Sequence, residues 1–375
     1  MTTRPSLPSG LTSWSATLHD VDAVTGLLAA SEYQDDGAVE IDRGDIVSDF
    51  RLAFPCPRLC TGEILSVPEE EGSMKMRRRM PAYTLMVAMV AAALVAEVVP
   101  AAAAVRVKPL IATKRNEQEP AGEPGTLAWS RNSRAHPSHY DVVVKVGGAS
   151  PVRMNSRGTT AFMGGLDGST AVFQQVRAGQ SDIKLYDIPS GHRSDPPGNV
   201  NTGHWEYWPS LSGNFILFAR QFPTTHKRSV YLFDRATSDL SVLASVRGRR
   251  TFLGPGQVNG DYATWYKCAP RCQVYRYRIS TGKKVRVPNP GRYQYAPSVE
   301  ANGTVFFGRS GQGCGTHVKL MRYPRGGPAR AVVKLADGID FLDTYAFRAG
   351  SKRKVLFDRS NCNKATSDIY QATLS

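Results

Sequence analysis

The chain has little of what marks most recognisable enzymes. It holds only seven histidines and six cysteines in 375 residues, and no His-Glu-x-x-His pair, so a zincin-type centre is excluded. Gly308-Arg309-Ser310-Gly311-Gln312 lacks the final glycine of a nucleophile elbow, and it falls in a predicted hairpin where that motif needs strand, turn and helix. Asp167 and Asp195 stand in glycine- or proline-rich turns without the alternating acidic ligands of a calcium loop. His136 and His139 have no acidic neighbour spaced to join them on a metal and read as solvated loop residues. Cys268-x3-Cys272 has no second ligand pair at finger spacing. No catalytic residue, metal or cofactor is expected.

Long apolar runs are also scarce, with one exception at Tyr83–Val99. Lys75 and Arg77–Arg79 precede it, and Ala102-Ala103-Ala104 come after it. Basic, apolar and small residues in that order are the layout of a secretory signal peptide, here spanning 74–104. The run falls short of the about 20 apolar residues that span a bilayer, and it carries Glu97, which favours cleavage over anchoring. Both outcomes export the residues beyond 104, because the basic end stays inside. The expected location is secreted, or the outer side of the membrane if the segment remains as an anchor.

Charge divides at this segment. Residues 1–73 contain no lysine, 4 arginines and 13 acidic residues, whereas 105–375 hold 39 basic and 18 acidic residues, a balance of +21. In the acidic part, Leu11–Thr17 reads as a strand and Val21–Glu32 as a helix, with Val21, Val24, Leu27 and Leu28 on one face. The run from Leu11 to Phe50 resembles the opening strand and first helices of GNAT-family N-acetyltransferases. That family would imply acetyl-CoA binding through a later glycine-rich turn at a helix start. No such turn is present in this piece, and the nearest miss, Gln257–Tyr262, lies in a strand-rich repeat. A fragment this short cannot close a core, so residues 1–73 are expected to form no independent domain and to have no acetyltransferase activity. The purine-rich codons required by Glu69-Glu70-Glu71-Gly72 suggest that translation starts at Met74 or Met76.

Beyond the signal, Val105–Gly125 reads as a linker, with Glu117, Pro120, Gly122, Pro124 and Gly125 close together. From there the sequence repeats. Trp129, Phe173, Phe218, Trp265, Phe307 and Phe357 close short apolar strands at spacings of 44, 45, 47, 42 and 50 residues. A second alternating strand comes after each, starting at Val142, Ile183, Val230, Val274, Val318 and Ile369. Two landmarks in one register, 40–50 residues apart, are the signature of a β-propeller. Trp208-Pro209-Ser210-Leu211-Ser212-Gly213-Asn214 and Ser181-Asp182-Ile183-Lys184-Leu185-Tyr186-Asp187 resemble units of the TolB-like six-bladed propellers. The fold class expected is all-β, a six-bladed propeller over 125–375, behind the signal and an incomplete α/β segment. Six units of about 42 residues need about 250, and 251 are present. Val105–Ile111 is the one apolar run left over and is the candidate for a strand that closes the ring.

Four cysteines lie beyond the signal, and an exported domain is expected to oxidise them. Cys268 and Cys272 face each other across a hairpin tip. Cys314 and Cys362 fall in the same hairpin of neighbouring units, seven and five residues past Phe307 and Phe357. The expected pairs are 268–272 and 314–362.

Five units place a basic residue two beyond the aromatic: Arg131, Arg220, Lys267, Arg309 and Arg359. Each could simply solvate a hairpin end. Gathered by ring closure, they would form a basic face for an anionic partner. Outside the cell membrane that means an acidic envelope protein, an anionic polymer or a lipid surface; nucleic acid is not expected, and a monomer is. The expected function is therefore an exported, non-catalytic binding propeller. The alternative is a lyase or hydrolase working in the central funnel, which needs an acid/base pair converging from several inner strands. The placement of His204, Glu206 and Asp343 separates the two; the Trp205–Trp208 aromatic cluster could stack on a sugar or base but reads as core between units.

Overall fold

The computed structural model describes residues 105–374, apart from 134–135, 137, 270, 289–292, 312, 341–342 and 363–365. The signal segment, the GNAT-like run, Cys56 and Cys60 lie outside the described residues.

The described residues form an all-β propeller. β1 (Arg106–Ile111) precedes β2 (Glu117–Glu123), β3 (Thr126–Asn132), β4 (Tyr140–Val146) and β5 (Val152–Arg153), and β2–β5 make one four-stranded sheet. Next come β6 (Thr160–Asp167), β7 (Thr170–Arg177), β8 (Gln180–Asp187), β9 (His192–Ser194), β10 (Trp205–Ser212), β11 (Phe215–Phe222), β12 (Lys227–Asp234) and β13 (Asp239–Arg247). β14 (Phe252–Asn259), β15 (Tyr262–Cys268), β16 (Cys272–Arg278) and β17 (Lys283–Arg286) form a second four-stranded sheet. β18 (Tyr293–Val299), β19 (Val305–Ser310), β20 (Lys319–Tyr323) and β21 (Arg330–Lys334) form a third. The last sheet joins β22 (Ile339–Asp340), β23 (Thr344–Ala349), β24 (Lys352–Asn361) and β25 (Ser367–Leu374) to β1.

Six separate blades are not what the strand pairing gives. Three four-stranded sheets and one five-stranded sheet stand alone, while β6–β13 share one eight-stranded sheet. The join is local: Trp205 at the start of β10 pairs in parallel with Ser181 of β8, and the Ser181 hydroxyl donates to the Glu206 carbonyl at 2.6 Å. The inner strands still form a closed circuit, β2 touching β6, then β10, β14, β18, β23 and β2 again.

The repeated aromatics explain the packing. Trp129, Phe173, Phe218, Trp265, Phe307 and Phe357 are all almost completely buried. They sit inside β3, β7, β11, β15, β19 and β24 rather than at strand ends, because each strand continues past the ring. Burying such a ring in every unit stabilises the packing, at roughly 3–5 kcal/mol per ring by the cost of truncation to alanine.

Closure uses both ends of the described chain. β1 pairs antiparallel with β25, from Arg106 opposite Thr373 to Ile111 opposite Ile369, which covers an edge that would otherwise template aggregation. The segment Glu117–Glu123, expected from its sequence to be linker, is instead the first inner strand, buried along nearly its whole length. Its Pro and Glu content looks like loop composition; the proline sits at a bulge, where no ladder donor is required. The cysteines pair as expected: Cys268 with Cys272 across the β15–β16 hairpin, and Cys314 with Cys362 between neighbouring hairpins, their Cα atoms 5.9 Å apart.

Candidate functional site in the axial funnel

Five inner strands carry a register shift where they approach the axis: at Gln118/Ala121, Met163/Gly165, Tyr207/Ser210, Pro255/Val258 and Tyr295/Ser298. In three of them the bulged residue precedes proline and takes a left-handed backbone: Glu119 (φ 52), Trp208 (φ 48) and Ala296 (φ 47). That conformation is costly for a residue with a Cβ, and it is held by packing around the ring. The bulges and the start of β23 enclose an axial pocket lined by Glu119, Trp208, Gln257, Tyr266, Asp343 and Thr344, among others.

The funnel does not run through. Gln257 and Tyr345 border this pocket and also the one on the opposite side. Gln257 donates to the Ala346 carbonyl at 2.9 Å and accepts from the Ala346 and Val299 amides at 3.0 and 3.2 Å. The Tyr345 hydroxyl donates to the Leu166 carbonyl at 2.7 Å. These bonds tie strands from different parts of the ring together and close the floor.

Two carboxylates from distant segments meet above it. Glu119 is 5% exposed; its Oε2 accepts the Ser130 hydroxyl at 2.6 Å, and its Oε1 has no hydrogen-bond partner. Burial, followed by the charge of Asp343, pushes the Glu119 carboxyl well above the usual range. Asp343 keeps some solvent contact, yet desolvation raises it to about 7. Its backbone N–H donates to Asp358 Oδ1 at 2.9 Å. Two acids that cannot both ionise cheaply share a proton or attract a cation.

The residues singled out from sequence fare unequally. Arg220 is buried: its Nε donates to Glu206 at 2.6 Å, its guanidinium reaches the Asn199 and Val200 carbonyls, and it lies 4.8 Å from the Tyr231 ring centre. Arg131 stands opposite Glu117 in the ladder and lowers its pKa against desolvation. Arg359 stands opposite Asp368 and over the Tyr370 ring at 4.5 Å. Lys267 faces Leu253 and Gln273, and Arg309 faces Gln294 and Lys319, so no carboxylate lies across from either. His204 packs on Phe222 with ring centres 4.5 Å apart, and His136 and His139 are exposed. Of the aromatic cluster, Tyr207 is core while Trp208 faces the pocket. Asp343 is the one of the three discriminating residues that reaches the funnel.

Glu119 escaped sequence reading because it stood in a segment with linker composition. A signal was present: Pro120, Pro209 and Pro297 lie 9, 9 and 10 residues before the repeated aromatics Trp129, Phe218 and Phe307.

No family model matches the chain, and no curated protein matches it in sequence. Its solved structural neighbours include TolB proteins and the propeller domain of a protease. TolB from Acinetobacter baumannii shares 16% identity over 66% of this chain and 63% of its own, with a TM-score of 0.47. A protein assigned as TolB from Agrobacterium tumefaciens shares 13% over 73% and 99%, with a TM-score of 0.49. The β-propeller domain of the Trilobed protease from Pyrococcus furiosus shares 12% over 68% and 95%, with a TM-score of 0.43. The chain spans under two thirds of the Acinetobacter TolB. These likenesses concern architecture alone.

Proposed function

We propose that this protein is an exported binding propeller whose hairpin face receives an anionic component of the cell envelope. The observation that carries the reading is a set of like charges set directly opposite one another at the β12–β13 and β19–β21 ends. Lys227 pairs with Arg247, Arg309 with Lys319, and Lys319 with Lys334. Like charges opposed across strands destabilise a sheet, and an external anion would offset that cost. Lys267 lies at the same end of the intervening sheet, with Arg131 and Arg359 at the corresponding ends of theirs. Arg220 drops out of the binding set because it is buried against Glu206, and the charges of Arg131 and Arg359 are partly offset by Glu117 and Asp368 across the ladder. The two disulfides and the signal-like segment support export.

The test is retention of the full chain on an anionic polymer as salt is raised. The screening length falls from about 10 Å at 0.1 M to about 3 Å at 1 M, so retention falls steeply. The double reversal Arg309→Glu with Lys319→Glu weakens retention at low salt far more than Arg330→Glu with Lys352→Glu, which removes equal charge from the opposite ends of the strands. Equal losses would mean that net charge alone acts and that the face is wrong.

A further inference from the structure

The axial pocket is lined by residues outside the set assigned to anion binding, and its carboxylates are opposite in sign to that set. Glu119 lines its wall, and the Oε1 of that carboxylate is buried with no hydrogen-bond partner. Leaving a buried carboxylate oxygen unpaired costs several kcal/mol unless something in the pocket pairs with it. The second carboxylate, Asp343, borders the same space, as do the aromatic side chains of Trp208 and Tyr266. Carboxylates with aromatic walls are the surroundings in which a desolvated organic cation is held. A divalent metal fits less well. Among the described residues no group of three His, Cys, Asp or Glu side chains could hold one.

We propose that the axial pocket binds a primary ammonium group, with Glu119 and Asp343 supplying the counter-charge. The backbone at Glu119 serves this arrangement. Its left-handed conformation ahead of Pro120 places an acidic side chain at the axis, where the corresponding bulges of β10 and β18 present Trp208 and Ala296. The Ser130 hydroxyl donates to Oε2, and the Ser130 oxygen in turn accepts the Met163 N–H at 2.7 Å. This ties the carboxylate to two neighbouring strands while Oε1 is left for the ligand.

The titratable groups around the pair are acidic or neutral. Asp343 and Asp358 raise the Glu119 pKa, and Tyr266 and Tyr345 complete the titratable wall. Without ligand the pair therefore retains a proton toward neutral pH, and the ammonium must compete with it. A site that loses its proton near pH 7 binds a cation about tenfold more tightly at pH 8 than at pH 6.

The experiment is calorimetric titration of the full chain with n-butylammonium chloride at pH 6 and pH 8, with n-butanol and calcium chloride as comparison probes. The expected result is saturable butylammonium binding at pH 8, about tenfold weaker at pH 6, with no binding of butanol. Asp343→Asn and Glu119→Gln each abolish it while leaving a cooperative melting transition. Should one variant fail to fold, the other decides. Absence of butylammonium binding at pH 8, equal affinity at both pH values, equal binding of butanol, or binding that persists in the folded variant would each overturn the proposal. Calcium binding that excludes butylammonium and depends on both carboxylates would overturn it in favour of a metal site.

Discussion

Gly164 in β6 lies directly against Pro209 in β10: a Cβ built on the glycine would stand 2.2 Å from the Pro209 carbonyl oxygen. The relation recurs between Gly256 and Pro297, also at 2.2 Å. A glycine bulge in one inner strand thus receives the proline bulge of the next, and the ring tightens around the axis. The obstacle is backbone, which cannot swing aside. Gly164→Ala is expected to lower stability by about 1–3 kcal/mol through overpacking, read from the denaturant midpoint. Gly148→Ala, with open space around its Cβ position, is the comparison and leaves the midpoint nearly unchanged. Equal midpoints for both variants would refute the contact.

Arg220 and Arg309 occupy the same place in the repeat but differ in what removal leaves behind. Arg220→Ala strands the buried Glu206 carboxylate and is expected to cost roughly 3–5 kcal/mol. Arg309→Ala removes a half-buried cation with no acid opposite it and stays within about 0.5 kcal/mol. Chemical denaturation of the two variants measures the difference.

The funnel carboxylates make stability fall as pH rises. Both have folded pKa values above their unfolded ones. The folded state therefore keeps a proton that the unfolded state has released, beginning near the ordinary carboxylate range of about 4. The stabilisation from that proton is full at the acid end. It declines until Asp343 loses its proton near pH 7. Asp343→Asn is expected to be more stable than the parent at pH 8, with the advantage shrinking toward pH 5. Paired melting curves across that window test it; a constant difference would show that titration is not involved.

The two disulfides contribute unequally. Cys314–Cys362 closes 48 residues of sequence and is expected to stabilise by about 4 kcal/mol in the chain-entropy account, against about 2 kcal/mol for the short Cys268–Cys272 loop. Replacing the first pair with serine should lower the melting temperature more than replacing the second. The reverse order would show that loop length does not govern their effect here.

Repetition was legible because every unit must bury one large ring at the same register, so Trp129 through Phe357 recur whatever surrounds them. The disulfide partners were legible for the same reason, since equivalent hairpins of neighbouring units lie side by side. Other features depended on residues far apart in the chain. Glu117–Glu123 has the composition of a loop, and only packing against β3, β6 and β23 makes it an inner strand. The division into sheets turned on one parallel contact between Trp205 and Ser181. The recurrent basic residues look alike in sequence, yet Glu206 lies opposite Arg220 and Gln294 opposite Arg309, so burial and charge diverge. The meeting of Glu119 with Asp343 joins segments more than two hundred residues apart. Local pattern carries the period and the core, because each unit satisfies those alone. The axis is built from one piece of every unit, and ring closure alone decides what meets there.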